Sequence, residues 1–400
     1  MRCRTNDPSP SALVAVEVDS GFALFVSSQP TEGLVSKPLL LLLHGVGDHG
    51  ADWQRPVLDV LEETAATFPR IASRGSLRSQ VEVVALRYDD VFDDWLNRWE
   101  AQGSKVAAFM KASQVKMPRL AASLHDLLLP DDERGFFWSH AFDAIAYRGV
   151  SVIRDQVRSS VITGLIAAIN EHLSHHPGAD ITILAHSLGT IVIHDVLAEL
   201  ATGSQGVAFK ADRFRFSNLF LLANAVSLGP ARLVDPRPQS SAVRPLSAGQ
   251  ADGTAPYLSY YYAFRHDWDP VASWQPFAPK AWGSGHTDVR LRHVHQANVH
   301  GYTHYLRHPE VHVRLLRALL GWDVITDIEW HDRVASFPLI ASRGCDHAIA
   351  TLLQRFDALR QVPTSRGLDE VAMGLFNFYR AVREARQHCE ALFDANDGWL

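Results

Sequence analysis

Five consecutive leucines, Leu39 to Leu43, follow Lys37-Pro38 and stop at His44-Gly45. A strand with one face in water alternates apolar and polar side chains, so an unbroken apolar run fits a strand buried on both faces. Such strands belong to parallel sheets covered by helices on either side, which points the whole chain to the α/β class. The run is far too short to cross a bilayer, which takes about 20 apolar residues as a helix.

The rest of the chain reads in the same terms. Two β-type runs come first, at Ala12–Val18 and Phe22–Val26, with Asp19-Ser20-Gly21 as the turn between them. Beyond the leucines, Asp52 to Phe68 predicts a helix halted by Pro69, and Val81–Leu86 a strand. Val150 to Leu173 is a long helix with Ile153, Val157, Val161, Leu165 and Ile169 on one stripe. A strand at Ile181–Leu184 then runs into a helix marked by Ile191, Val192, Val196, Leu197 and Leu200. Strands follow at Leu219–Ala223, Leu258–Phe264 and Val289–Val294, and a helix at Pro309–Leu320 has proline in its first turn. This alternation implies a mostly parallel, doubly wound sheet with right-handed crossovers, whose ligands bind beyond the carboxyl ends of the strands.

Residues 1–321 are read as this α/β domain, with two interruptions. The insertion at about 89–149, rich in Trp and Phe, is a helical subdomain with its own core or a cap over the carboxyl edge. The stretch at about 227–256, rich in Pro, Ser and Gly, reads as a flexible loop. Residues 322–400 turn helical, at His347–Leu359 and Leu368–Leu392. They form an extension that packs on the main domain or serves self-association into a homo-oligomer. With 38 Lys+Arg against 44 Asp+Glu, interspersed, no basic stripe suggests nucleic acid. No apolar segment follows Arg2 and Arg4, and Cys3, Cys345 and Cys389 are too far apart for a disulfide framework, so a cytosolic protein is expected.

Four elements fall just past strand ends. Ile181 to Thr190 ends in Ala185-His-Ser-Leu-Gly189, which places Ser187 at a strand-to-helix turn where a serine can act as nucleophile. His44-Gly45-Val46-Gly47 follows the leucine strand, and the Val46 and Leu188 amides form the natural pair of oxyanion donors. Asp269, before Pro270, is the carboxylate expected to orient a histidine, with Asp267 as competitor. The histidine is drawn from His293-Val-His-Gln-Ala-Asn-Val-His-Gly-Tyr-Thr-His304. His304, just ahead of the Pro309 helix, is the first choice as general base and His300 the alternative; His293, His295, His308 and His312 are assigned structural places.

With these residues the chain resembles the α/β-hydrolases of the serine esterase/lipase type over roughly Leu13 to Gly321. His44–Gly47 is similar to that family's oxyanion loop, Ala185–Gly189 to its nucleophile elbow, and the order Ser187, Asp269, His304 to its order of serine, acid and base. Asp269-Pro-Val271 and Tyr305–Val311 resemble the segments around the family's acid and base. The chain departs from the pattern with Ala185 at the elbow and with Tyr302 where the base histidine often stands. The resemblance implies the α/β-hydrolase fold and hydrolysis of small-molecule or lipid-like carboxylic esters through an acyl-enzyme, without a cofactor. Thioesterase, amidase or acyltransferase chemistry would use the same parts, and an inactive scaffold would keep the fold alone.

The histidines between His293 and His312 also invite a metal site. Pro309 interrupts the i, i+4 spacing of His304, His308 and His312, and no His-Glu-x-x-His pattern is present, so no metal is expected.

Overall fold

A computed structural model describes residues 36–45, 50–95, 147, 150–202, 216–228, 243, 245, 258–269, 271–272, 277, 282, 285–296, 298–338, 346–361, 377, 380–385 and 388. The runs expected at Ala12–Val18 and Phe22–Val26, and most of 89–149, 227–256 and Leu368–Leu392, lie outside these residues.

The leucine run is strand β1 (Leu39–Leu43), and every residue in it is buried. Helix α1 (Gln54–Ala66) and two short helical turns lead to β2 (Glu82–Leu86). Helix α2 (Ser151–His175) precedes β3 (Ile181–His186), which passes at Ser187 into α3 (Leu188–Thr202). Strands β4 (Phe216–Leu222), β5 (Leu258–His266) and β6 (His286–Leu291) follow. Helices α4 (Tyr302–Arg307), α5 (Pro309–Leu320), α6 (Asp327–Ser336) and α7 (Asp346–Gln361) come after them, and residues 380–385 are also helical.

The six strands form one sheet in the order β2-β1-β3-β4-β5-β6, and every neighbouring pair is parallel. The α/β class expected from the leucine run therefore holds. Alternation along β1 divides the core. Leu39, Leu41 and Leu43 pack with Ile153, Val157, Leu165 and Val192 of α2 and α3. Leu40 and Leu42 pack with Val57 and Leu61 of α1 and with Val313 and Leu316 of α5. Helices thus cover both faces. Fully burying a leucine is worth about 1.5–3 kcal/mol, so this one strand contributes heavily to both layers.

Two segments near the site differ from the sequence expectation. β6 lies at His286–Leu291 rather than Val289–Val294; as an edge strand, with only Leu291 of its six residues buried, it has weak apolar patterning to mark its ends. The segment after Gly301, expected as a loop, is the six-residue helix α4. Helix α6 has a complete capping box, in which Thr326 and Glu329 each satisfy the other's backbone N–H.

The connectivity places the ligand edge. From β1 the chain crosses to β2 on one side, then back past β1 to β3 on the other, so the order reverses between β1 and β3. Beyond the carboxyl ends of these two strands lies the crevice where parallel α/β sheets bind ligands. His44-Gly45 and Ser187 occupy those two ends. The C-terminal helices reach the same side: Ile349, Leu352 and Phe356 of α7 form one cluster with Val294 and Val299. Among the described residues no helix is long and apolar enough to cross a membrane.

Burial also leaves ionisable groups in the layers. Desolvation holds His194 of α3 and His312 of α5 down to about 4, against an ordinary 6.5. Between those values the unfolded chain binds protons that the folded chain does not, so this contribution to stability is complete above about pH 6.5 and is lost as the pH falls toward 4. Urea unfolding at a series of pH values should show stability falling across that window. His312→Gln should flatten the slope by up to about 1.4 kcal/mol per pH unit.

Candidate functional site

Ser187 sits between β3 and α3 with φ of 51°, in the left-handed region that a non-glycine side chain seldom adopts. Its N–H donates to the Leu222 carbonyl at 3.1 Å and its carbonyl accepts from the Thr190 N–H and hydroxyl. These bonds hold the strained turn from both sides. Leu188 opens a 15-residue helix, so its N–H is among those with no acceptor within that helix, and the helix directs its positive end at the serine.

The facing segment approaches without side chains between. A Cβ added at Gly189 would stand 2.3 Å from the His44 carbonyl oxygen, and one at Gly45 would stand 2.9 Å from both Ser187 Cβ and His186 Nδ1. Glycine at these two positions is a steric requirement. Tyr88, just past β2, donates its hydroxyl to the His44 carbonyl at 2.7 Å and lies stacked 4.2 Å from the His44 ring. His44 Nε2 is 3.3 Å from the buried carboxylate of Asp89. Burial pushes the Asp89 carboxyl up, but the His44 and Arg87 side chains outweigh it and hold it well below the ordinary range. Val46, expected as the second oxyanion donor, lies outside the described residues.

Asp269 lies three residues past β5 and is wholly buried. Its Oδ1 accepts the Val271 and Ala272 N–H groups at 2.9 and 3.3 Å, and its Oδ2 accepts the Tyr305 hydroxyl at 2.7 Å. The same Oδ2 lies 2.9 Å from His300 Nδ1. Burial alone would raise this carboxyl; the charge and hydrogen bond of His300, with the Tyr305 and Ala272 bonds, hold it below the ordinary value. The competitor Asp267 is engaged elsewhere, paired with Arg290 and with Arg292 of the neighbouring segment.

The histidine that completes the group is His300. Its Nε2 is 2.9 Å from Ser187 Oγ. Because Asp269 can only accept, His300 Nδ1 carries the proton; in a neutral ring Nε2 then accepts, and the serine hydroxyl donates to it. A tight turn presents the ring: the Gly301 N–H donates to the Asn298 carbonyl at 3.0 Å, and Asn298 Oδ1 accepts the His300 N–H at 3.2 Å. His186 Nε2 donates to the His300 carbonyl at 2.6 Å, and the Tyr302 hydroxyl donates to the Leu184 carbonyl at 3.0 Å, tying the turn to the serine-bearing strand.

His304, the first choice from sequence, makes neither contact. It lies one helical turn later in α4, fully buried, stacked on His293 with centroids 4.4 Å apart, and its Nε2 donates to the His293 carbonyl. The reason is the helix itself. With α4 beginning at Tyr302, residue 304 is carried into the protein interior, while residue 300 stays at the tip of the preceding turn. Tyr88, Asp89 and Tyr305 were not singled out from sequence. Tyr88 and Asp89 follow β2 directly, at a strand end where site residues are expected; Tyr305 opens the Tyr305–Val311 segment of the resemblance, with no role for its hydroxyl marked there.

A serine hydroxyl, an imidazole and a buried carboxylate in series can lower the cost of taking the hydroxyl proton and can stabilise the imidazolium that results. No family model and no curated protein matches the chain. The contact between the two glycines and the facing segments is open to a direct test. Gly189→Ala should destabilise the fold by about 1–3 kcal/mol, since backbone rather than a movable side chain opposes it. Gly50→Ala, where an added Cβ meets nothing within 4 Å, should stay within about 0.5 kcal/mol of the parent in the same denaturation experiment.

Proposed function

We propose that the chain is a serine hydrolase of the α/β-hydrolase type that cleaves carboxylic esters through an acyl-enzyme. The observation that carries this reading is the His300 ring, 2.9 Å from Ser187 Oγ on one side and 2.9 Å from Asp269 Oδ2 on the other. The strained turn at Ser187, the opening of α3 behind it and the reversal of strand order between β1 and β3 all support it.

In this reading His300 Nε2 takes the Ser187 proton as Oγ attacks the ester carbonyl carbon. Negative charge develops on the carbonyl oxygen, where the Leu188 N–H, joined by that of Val46, stabilises it; one such donor is typically worth about 10²–10³ in rate. The tetrahedral species collapses as His300 returns the proton to the departing alkoxide. Water then repeats the sequence on the acyl-serine, with His300 again as base, and releases the acid. Asp269 keeps Nδ1 protonated and holds the ring in plane, and Tyr305 holds Asp269.

A fluorophosphonate probe tests this. Wild type should label at Ser187 and Ser187→Ala should not; an unlabelled, folded wild type would overturn the proposal. With a chromogenic short-chain ester, His300→Ala should lower kcat by roughly 10⁴–10⁶ and Asp269→Asn by roughly 10⁴. His300→Ala, checked for folding by circular dichroism, should also lose its labelling; labelling of folded His300→Ala at the wild-type rate would return the base to His304.

A further inference from the structure

Behind the Ser187 site lies a second group of imidazoles that the proposed chemistry does not use. His266 ends β5, His293 follows β6 and His304 lies in α4, and their exposures are 0%, 1% and 0%. One ring nitrogen from each lies within 4.8 Å of those of the other two. Nitrogens around a tetrahedral zinc ion stand about 3.3 Å apart, given bonds of about 2.0–2.1 Å, so binding an ion requires the three rings to draw together and the parallel rings of His293 and His304 to turn toward each other.

The hydrogen bonds fix which nitrogens are free to ligate. His266 Nε2 and His304 Nε2 both face the His293 carbonyl, at 2.5 and 3.2 Å, and His293 Nε2 faces the His304 carbonyl at 3.2 Å. A carbonyl only accepts, so each Nε2 carries the proton and each Nδ1 the lone pair. An imidazole N–H anchored on a backbone carbonyl, with the other nitrogen left as donor, is the arrangement found around metal-bound histidines. Two of the three lone pairs, on His293 Nδ1 and His304 Nδ1, are buried without a hydrogen-bond partner, and the third accepts only a long bond of 3.3 Å from the Trp268 N–H. Buried polar atoms without partners are rare and call for an explanation.

We propose that His266, His293 and His304 bind a divalent first-row metal ion, zinc foremost, as a structural staple. Three imidazole nitrogens suit that class of ion rather than calcium or magnesium, which take oxygen. His308 stands beside the group, its ring 4.4 Å from that of His293, but its Nδ1 already accepts the Glu310 N–H as the cap of α5, so it is left out of the set. The buried position gives substrate no access, so the ion acts on the fold. It would join the segment three residues before Asp269 to the two that bracket His300. The three histidines come from the end of β5, the segment after β6 and α4, so no spacing along the chain marks them as one set.

The inference rests on the histidines alone and stands or falls apart from the hydrolase reading. Untagged protein is stripped with chelator, dialysed and titrated with zinc, with bound metal measured by elemental analysis. Wild type should take up about one equivalent and unfold at a higher temperature with zinc than without. His293→Gln and His304→Gln should weaken zinc binding by more than the about 10- to 100-fold that follows loss of an outer-shell partner. His175→Gln, at an exposed position, should match wild type. Where a ligand variant fails to fold, Co²⁺ added to wild type decides: strong visible d–d bands of a low-coordinate nitrogen site support the proposal, and weak octahedral bands overturn it. Folded wild type that takes up no more zinc than the His293→Gln/His304→Gln double variant also overturns it.

Discussion

The architecture of the carboxyl edge depends on two stretches of backbone meeting with nothing between them. Helix α3 starts against the His44 carbonyl, and Gly45 lies on the serine-bearing turn, in each case closer than any side chain permits. That contact sets how far the N-terminal amide of α3 stands from the segment after β1, and so the width of the crevice at the strand-order reversal. Tyr88 reinforces it by taking up the carbonyls of His44 and Gly45. The unfavourable backbone of Ser187 is tolerated because this surrounding structure leaves the turn no alternative.

The acid side of the site is organised on a different principle. Asp269 is removed from water and given four hydrogen bonds, two from backbone N–H groups and two from side chains. A carboxylate so enclosed keeps its charge only while those donors stay in place. Asp267, two residues away, keeps its charge by pairing with two arginines, both of them more exposed than it is. Their shared segment thus turns one carboxylate inward to the imidazole and the other outward to the edge strand.

What could be read from sequence follows from the same physics. The leucine run, the small residues around Ser187 and the aspartate after β5 are local signals, each tied to a strand end, and the structure has them at the carboxyl ends of β1, β3 and β5 of one sheet. Choosing between His300 and His304 needed the start of α4 to within one turn. The only marked helix start nearby was Pro309, which begins the next helix, while α4 opens at Gly301 with no side-chain cap. The histidine layer was hidden for another reason: hydropathy treats histidine as polar, yet His266, His293, His304 and His312 are core residues. Burial of this kind depends on hydrogen bonds to distant carbonyls, which no local pattern encodes.

The five leucines of β1 raise a further point. A strand with alternating character rejects a one-residue slip because its polar side chains would enter the core. Here a slip would exchange leucine for leucine on both faces, so the run carries almost no positional information of its own. Its alignment has to come from the ends: the Leu39 N–H on the Asp180 carbonyl and the Glu82 N–H on the Pro38 carbonyl at one, and Tyr88 on the His44 carbonyl at the other. The strand behaves as an unmarked tape held between two stops, and the position of the crevice relative to the rest of the sheet is written in those stops rather than in the leucines.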